Sequence, residues 1–331
     1  MENLLVNKVA AVKEVRQAAE YQKKKQACIL TGLAGSSKPV FFAAADKLLG
    51  GKGSMAFITA SREEIRTYRR ELNYLYPDLP MQELYPVSLP RVQADTQSLE
   101  LQAGRAAALR FLSGEERGIV FITAEALQQK QLRPSGMSGK ALQLAVGEEH
   151  EQRNIAAALL DLGYERTEQV DALGQFCLRG DILDVYPINS SAAVRIEWFD
   201  NELDAMRSFD VDTQRSLQTL TSIKIAPLKV DESFSYDADI FEYCAADTMV
   251  VVDEPVHVFG MLEKLDKENK EHASELFGKQ ELIEQLAANG AVLVSALGHS
   301  YLQQLPSLNI PVRAVAPYNK NTNLLVEDLQ N

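Results

Sequence analysis

Two hydrophobic periods alternate along the first 130 residues. Between residues 5 and 25 apolar positions recur near every 3.6 residues, and the segment ends on Lys23-Lys24-Lys25, charges that suit a helix C-terminus. The apolar run Ala27-Cys28-Ile29-Leu30 then predicts a short buried strand, with a helix after it to about Leu49. Met55–Thr59 predicts the next strand. Ser61 and Glu64 have the spacing of a capping box and open a helix to about Tyr76. Residues 77–93 are rich in proline and predict irregular chain. A helix over 95–112 and a strand over 119–122 follow. Strands alternating with helices predict a parallel α/β sheet.

The pattern changes near Arg133-Pro134-Ser135-Gly136, a stretch of turn formers that reads as a linker. After a helix at about 150–162 the apolar positions alternate, which predicts antiparallel strands up to about residue 212. From Ile223 the mixed pattern resumes, with buried strands at 248–254 and 291–294. The layout is an α/β domain, residues 1–133 and 216–331, interrupted by an inserted β-rich α+β domain at 134–215.

Composition narrows the function. The chain has 331 residues, 46% hydrophobic, and a net charge of -12. Such a surface repels phosphate backbones, which disfavours broad nucleic-acid binding. The insert is also acidic: residues 139–216 hold fifteen Asp or Glu against seven Lys or Arg. Cys28, Cys177 and Cys244 are far apart, with no C-x-x-C pair for zinc or a redox dithiol. No histidines sit at helical spacing, so no metal is expected. No signal peptide or apolar run of membrane-spanning length is visible, and a cytoplasmic location is expected.

Two segments carry candidate nucleotide chemistry. A phosphate-binding loop needs G-x-x-x-x-G-K-[ST], in which backbone N–H groups cradle phosphate, the lysine reaches the outer phosphates and the hydroxyl holds magnesium. Here Gly32, Ser37, Lys38 and Pro39 fill those places. Serine restricts a backbone that needs glycine's freedom, and proline removes both the hydroxyl and an N–H donor. Asp253 and Glu254 end a buried strand, where such enzymes place metal-binding and water-activating carboxylates. The pair is expected to be a relic without catalysis; the competing reading is a nucleotide hydrolase using Lys38, Asp253 and Glu254.

The insert displays isolated arginines. Arg179 precedes Gly180, Arg195 lies on the next strand with Glu197 on its face, and Arg166 stands upstream. An arginine fork suits carboxylates on a protein partner, but from the residues alone internal salt bridges with the abundant acids are the favoured reading. Alternation assigns Trp198 to the core.

The run from Gly163-Tyr164-Glu165-Arg166 through Gly174-Gln175-Phe176-Cys177-Leu178-Arg179-Gly180-Asp181-Ile182-Leu183-Asp184-Val185-Tyr186-Pro187, with Arg195-Ile196-Glu197-Trp198-Phe199-Asp200, resembles the UvrA-binding module shared by bacterial transcription-repair coupling factors and the excision-repair protein UvrB. Upstream, Leu30–Pro39 resembles the opening of the same family's first domain, a UvrB-like P-loop NTPase fold that is degenerate in the coupling factors. The resemblance implies that Arg166, Arg179 and Arg195 face UvrA, with Glu197 beside Arg195 and Leu183 as an apolar contact. Cys177 stands where UvrB carries another arginine. No long DNA-clamping hairpin is visible between residues 77 and 95. The resemblance further implies that this is a segment of a longer protein. Other domains of that protein bind RNA polymerase and move on duplex DNA, using ATP and Mg²⁺; no cofactor is expected in this segment. Direct binding of damaged DNA is the remaining alternative.

Overall fold

The computed structural model describes residues 4–89, 99–134, 141–228, 236–296 and 305–312. Its centre is a seven-stranded parallel sheet. In chain order the strands are β1 (Cys28–Thr31), β2 (Met55–Thr59), β3 (Met81–Leu84), β4 (Ile119–Thr123), β15 (Met249–Asp253), β16 (Val292–Ser295) and β17 (Ser307–Asn309). In space they lie β17-β1-β16-β15-β2-β4-β3. Apolar runs such as Val250-Val251-Val252 are continuous because helices cover both faces of the sheet. One face is covered by α1 (Leu4–Ala10), α2 (Lys13–Lys23), α3 (Ser37–Leu48) and α4 (Arg62–Leu75), with Phe42 of α3 packed on Phe57 of the sheet. The other is covered by α5 (Leu99–Ser113), α6 (Ala124–Gln128) and, further along, the helices Pro255–Glu268 and Lys279–Ala288.

Several expectations hold in detail. The capping box forms: Glu64 accepts from the Ser61 N–H at 3.0 Å and starts α4. Others need correction. The helix expected over 5–25 is two helices, because the chain breaks at Ala11-Val12 before α2 begins. The stretch 77–93 is not wholly irregular: β3 pairs in parallel with β4 at the sheet edge, where flanking prolines remove no ladder bond. The linker residues 135–139 and part of the 77–95 interval lie outside the described residues.

A second sheet, six-stranded, forms the β-rich module. Its order is β12-β11-β10-β9-β8-β7: β7 (Glu165–Arg166), β8 (Gln175–Arg179), β9 (Ile182–Val185), β10 (Ala193–Phe199), β11 (Glu202–Phe209) and β12 (Ser216–Leu220). The strands from β8 to β12 form an antiparallel meander of sequence neighbours, and helix α7 (Gln152–Asp161) covers one face through Ile155 and Leu159. Position 215 falls between β11 and β12, so strand structure continues past the boundary that composition suggests. β12 is nearly all exposed and lacks an apolar alternation to announce it. At the module's base β6 (Leu142–Ala145) pairs antiparallel with β13 (Ser222–Ile225), Leu142 opposite Ile225. Flanking that pair in the chain, two short strands, β5 (Gln131–Leu132) and β14 (Tyr236–Ala238), pair with each other.

Candidate functional site

The face of the meander turned away from α7 gathers the arginines. A hairpin with a two-residue loop, Gly180-Asp181, joins β8 to β9, with Gly180 at φ +56°. Arg179 lies opposite Ile182, and Cys177 opposite Asp184. Asp184 then lies opposite Arg195, and Arg195 opposite Arg207. Directly opposed residues share a face, so Cys177, Asp184, Arg195 and Arg207 form one row across the sheet. Arg179, Ile182 and Glu197 form the next.

Asp184 organises this face. Its carboxylate is buried, with 2% of the side chain exposed, and accepts from Arg195 twice, Nε at 2.6 Å and Nη2 at 2.8 Å. It also accepts from Arg179 Nη2 at 3.1 Å. A buried carboxylate is tolerable only with such charged donors. Arg195 is further tied to Gln214 Oε1 at 3.0 Å and lies 4.6 Å from the Phe209 ring centroid. Its side chain is 17% exposed, whereas that of Arg179 is 53% exposed. Glu197 pairs with Arg207. Arg195 thus forms the internal salt bridge, while Arg179 bonds internally and still has about half of its side chain exposed to solvent.

Two sequence assignments change. Leu183 is buried in the module's core with Phe176 and Ile196 and is not a surface contact. Counting by twos from Arg179 fails because the two-residue loop reverses the parity: Arg179 shares its face with Ile182 and Asp184. Arg166 is exposed, but its register with Phe176 puts it toward the opposite side of the sheet, apart from Arg179 and Arg195. Cys177 is buried and its thiol donates to Glu168 O at 2.9 Å. Asp184 and Arg207, which the sequence reading passed over, complete the face; cross-strand register was the signal that could have found them. Trp198 is core, its indole donating to His150 O at 2.9 Å.

The second candidate centre lies at the carboxyl ends of β1, β15 and β16, where parallel sheets place ligand crevices. That topology brings Lys38 to within 2.6 Å of Asp253 Oδ1 and 2.7 Å of Glu254 Oε1, although they are over 200 residues apart. Burial pulls the Lys38 ammonium down, but the two carboxylates outweigh it and hold its pKa above the ordinary lysine value. Burial likewise raises Glu254, yet the Lys38 ammonium, the Ala296 N–H and the Ser295 hydroxyl bring it below the ordinary glutamate value. Burial and the Asp253 carboxylate push the Tyr68 phenol up. Ser37 bonds back to Ala34 O at 2.7 Å. Pro39 sits in the first turn of α3, where a missing N–H costs nothing. Gly32, at φ +88°, has Asn309 and Ile310 packed against it; a Cβ there would lie 2.7 Å from Ile310 O.

Among the described residues no His, Cys, Asp or Glu cluster could hold a metal ion. No described helix is long and apolar enough to cross a membrane.

Residues 142–230 match the UvrB interaction domain family. The chain is 36% identical over 203 residues to the transcription-repair-coupling factor of Bacillus subtilis, covering 61% of this chain and 17% of that protein. It is 32% identical over 202 residues to that of Staphylococcus haemolyticus (60% and 17%), and 28% identical over 165 residues to that of Escherichia coli (50% and 14%). The chain thus spans about a sixth of the length of these relatives. The antiparallel module matches the UvrB interaction domain family, and the chain that carries it is similar to one segment of the transcription-repair-coupling factors.

Proposed function

We propose that this segment recruits UvrA to transcription-coupled nucleotide excision repair and does no catalysis itself. The observation that carries the reading is the half-exposed side chain of Arg179, held by a buried carboxylate on the open face of a module that matches the UvrB interaction domain family. Arg179 and Arg207 present charge to acidic groups on UvrA. Arg195 and Asp184 fix the geometry behind them, which lowers the ordering cost of binding. Arg166 contributes from the module's other side.

The crevice supports the non-catalytic half. Lys38 is engaged by two carboxylates, Pro39 offers no hydroxyl to magnesium, and Asn309 and Ile310 lie against Gly32. A nucleotide would have to displace these contacts. Engagement of RNA polymerase and duplex DNA, and ATP-driven movement, belong on this reading to parts of the longer relatives outside this chain. Titration against purified UvrA tests the proposal: saturable binding, weakened roughly thirtyfold or more in Arg179→Ala, is expected. Calorimetry with Mg-ATP tests the crevice, and micromolar affinity there would favour the hydrolase instead. Lesion-selective duplex binding in a gel shift would favour direct damage recognition.

A further inference from the structure

Helix α4 and the turn after it enclose a groove lined by Arg66, Arg69, Arg70, Asn73 and the segment Pro77–Met81. Three guanidinium groups at i, i+3 and i+4 share one side of a helix. Arg69 is committed: its Nη1 donates to Met81 O at 3.2 Å, and it lies 5.4 Å from the Phe121 ring centroid. Arg66 and Arg70 are exposed, and among the described residues neither has a carboxylate within ion-pair reach. Two of the three acids of this helix are occupied elsewhere, Glu64 capping the helix and Glu71 accepting from Ser36, while Glu63 is exposed in the first turn. Asp78 is the one acid lining the groove. A local excess of positive charge therefore stands on a chain of net charge -12. Tyr74, one turn beyond Arg70, is 83% exposed, and Pro77 and Pro80 add exposed apolar surface. Arginine and tyrosine around an apolar wall are the residues that dominate protein–protein hot spots.

We infer that this groove docks an acidic segment of a protein partner, separate from the arginine face of the module. Carboxylates pair with Arg66 and Arg70 while apolar side chains lie against Pro77, Leu79 and Pro80. Charge favours a short acidic peptide over nucleic acid. A duplex presents a continuous line of phosphates that the surrounding acidic surface repels, and non-specific readers spread their basic residues over a longer track.

The test is fluorescence anisotropy of the whole chain with three labelled probes: a peptide alternating Glu and Leu, its Gln–Leu counterpart, and duplex DNA. The Glu–Leu peptide should bind saturably, and the double variant Arg66→Ala, Arg70→Ala should weaken it about tenfold or more. Arg179→Ala should leave it unchanged. Both altered side chains are exposed, so the circular dichroism and melting of the variant should match the parent. Absent saturation, equal binding of the neutral peptide, no effect of the double variant, or tighter binding of the duplex would each overturn the inference. None of these outcomes depends on UvrA.

Discussion

Arg179 and Arg195 contact the same carboxylate, yet removing each should do different things. Arg195→Ala deletes two short charged hydrogen bonds, the Gln214 bond and the packing on Phe209, and leaves Asp184 nearly sealed with one remaining partner. A buried carboxylate stripped of its main partner costs about 2–4 kcal/mol, reduced here because Arg179 stays. Arg179→Ala leaves the bidentate pair intact and removes a half-exposed contact, so it should cost less than about 1 kcal/mol. For UvrA binding the order reverses: losing the presented arginine should cost about 2 kcal/mol or more, roughly thirtyfold in affinity. Trp198 is the chain's one tryptophan and lies in this module's core, so urea unfolding followed by its fluorescence reports on the module alone. Arg195→Ala should shift that midpoint well down, and Arg179→Ala should barely move it. Coincident curves for Arg195→Ala and the parent, or equal shifts for both variants, would refute the division between a holding and a presenting arginine.

Further outcomes follow from the crevice and the core. The Lys38–Glu254 contact should be fully stabilising between about pH 4.5 and 10.5. Glu254 titrates low in the folded protein, so its contribution fades as pH falls below the first value; Lys38 titrates high, so its contribution fades as pH rises above the second. Comparing stability–pH curves of the parent and Lys38→Met checks this, and identical shapes would contradict it. Gly32→Ala should destabilise by about 1–3 kcal/mol, because it joins a strained φ to a collision with the Ile310 carbonyl; calorimetric melting measures it. Burial pushes the Cys28 and Cys244 thiols up to about 12, so both should resist alkylation at pH 8 until urea is added, read by mass spectrometry.

Much of the fold was legible because its signals are local. The Ser61/Glu64 capping box and the apolar runs of β2, β4 and β15 each need only a few neighbouring residues to be read. β3 was not legible: Met81-Gln82-Glu83-Leu84 is a short edge strand whose pairing with β4 is a tertiary fact. β12 was hidden for the same reason, having no buried side to pattern. At the candidate site, the resemblance brought Arg179, Arg195 and Glu197 forward, and the structure gathers them on one face. The role of Asp184 and the burial of Leu183 depend on a hairpin register that strand alternation alone does not carry. Lys38 and Asp253 were recognisable as separate motifs, but their direct contact emerges only when strand order places β1 and β15 either side of β16.

The pairing of β6 with β13 leaves the two crossings into and out of the module lying shoulder to shoulder. A polypeptide whose beginning and end coincide can be excised by severing two neighbouring connections, and its host closes over the gap with little rearrangement. The arginine-bearing sheet is in that sense a self-contained cassette, inserted at one point of the body on which it rides.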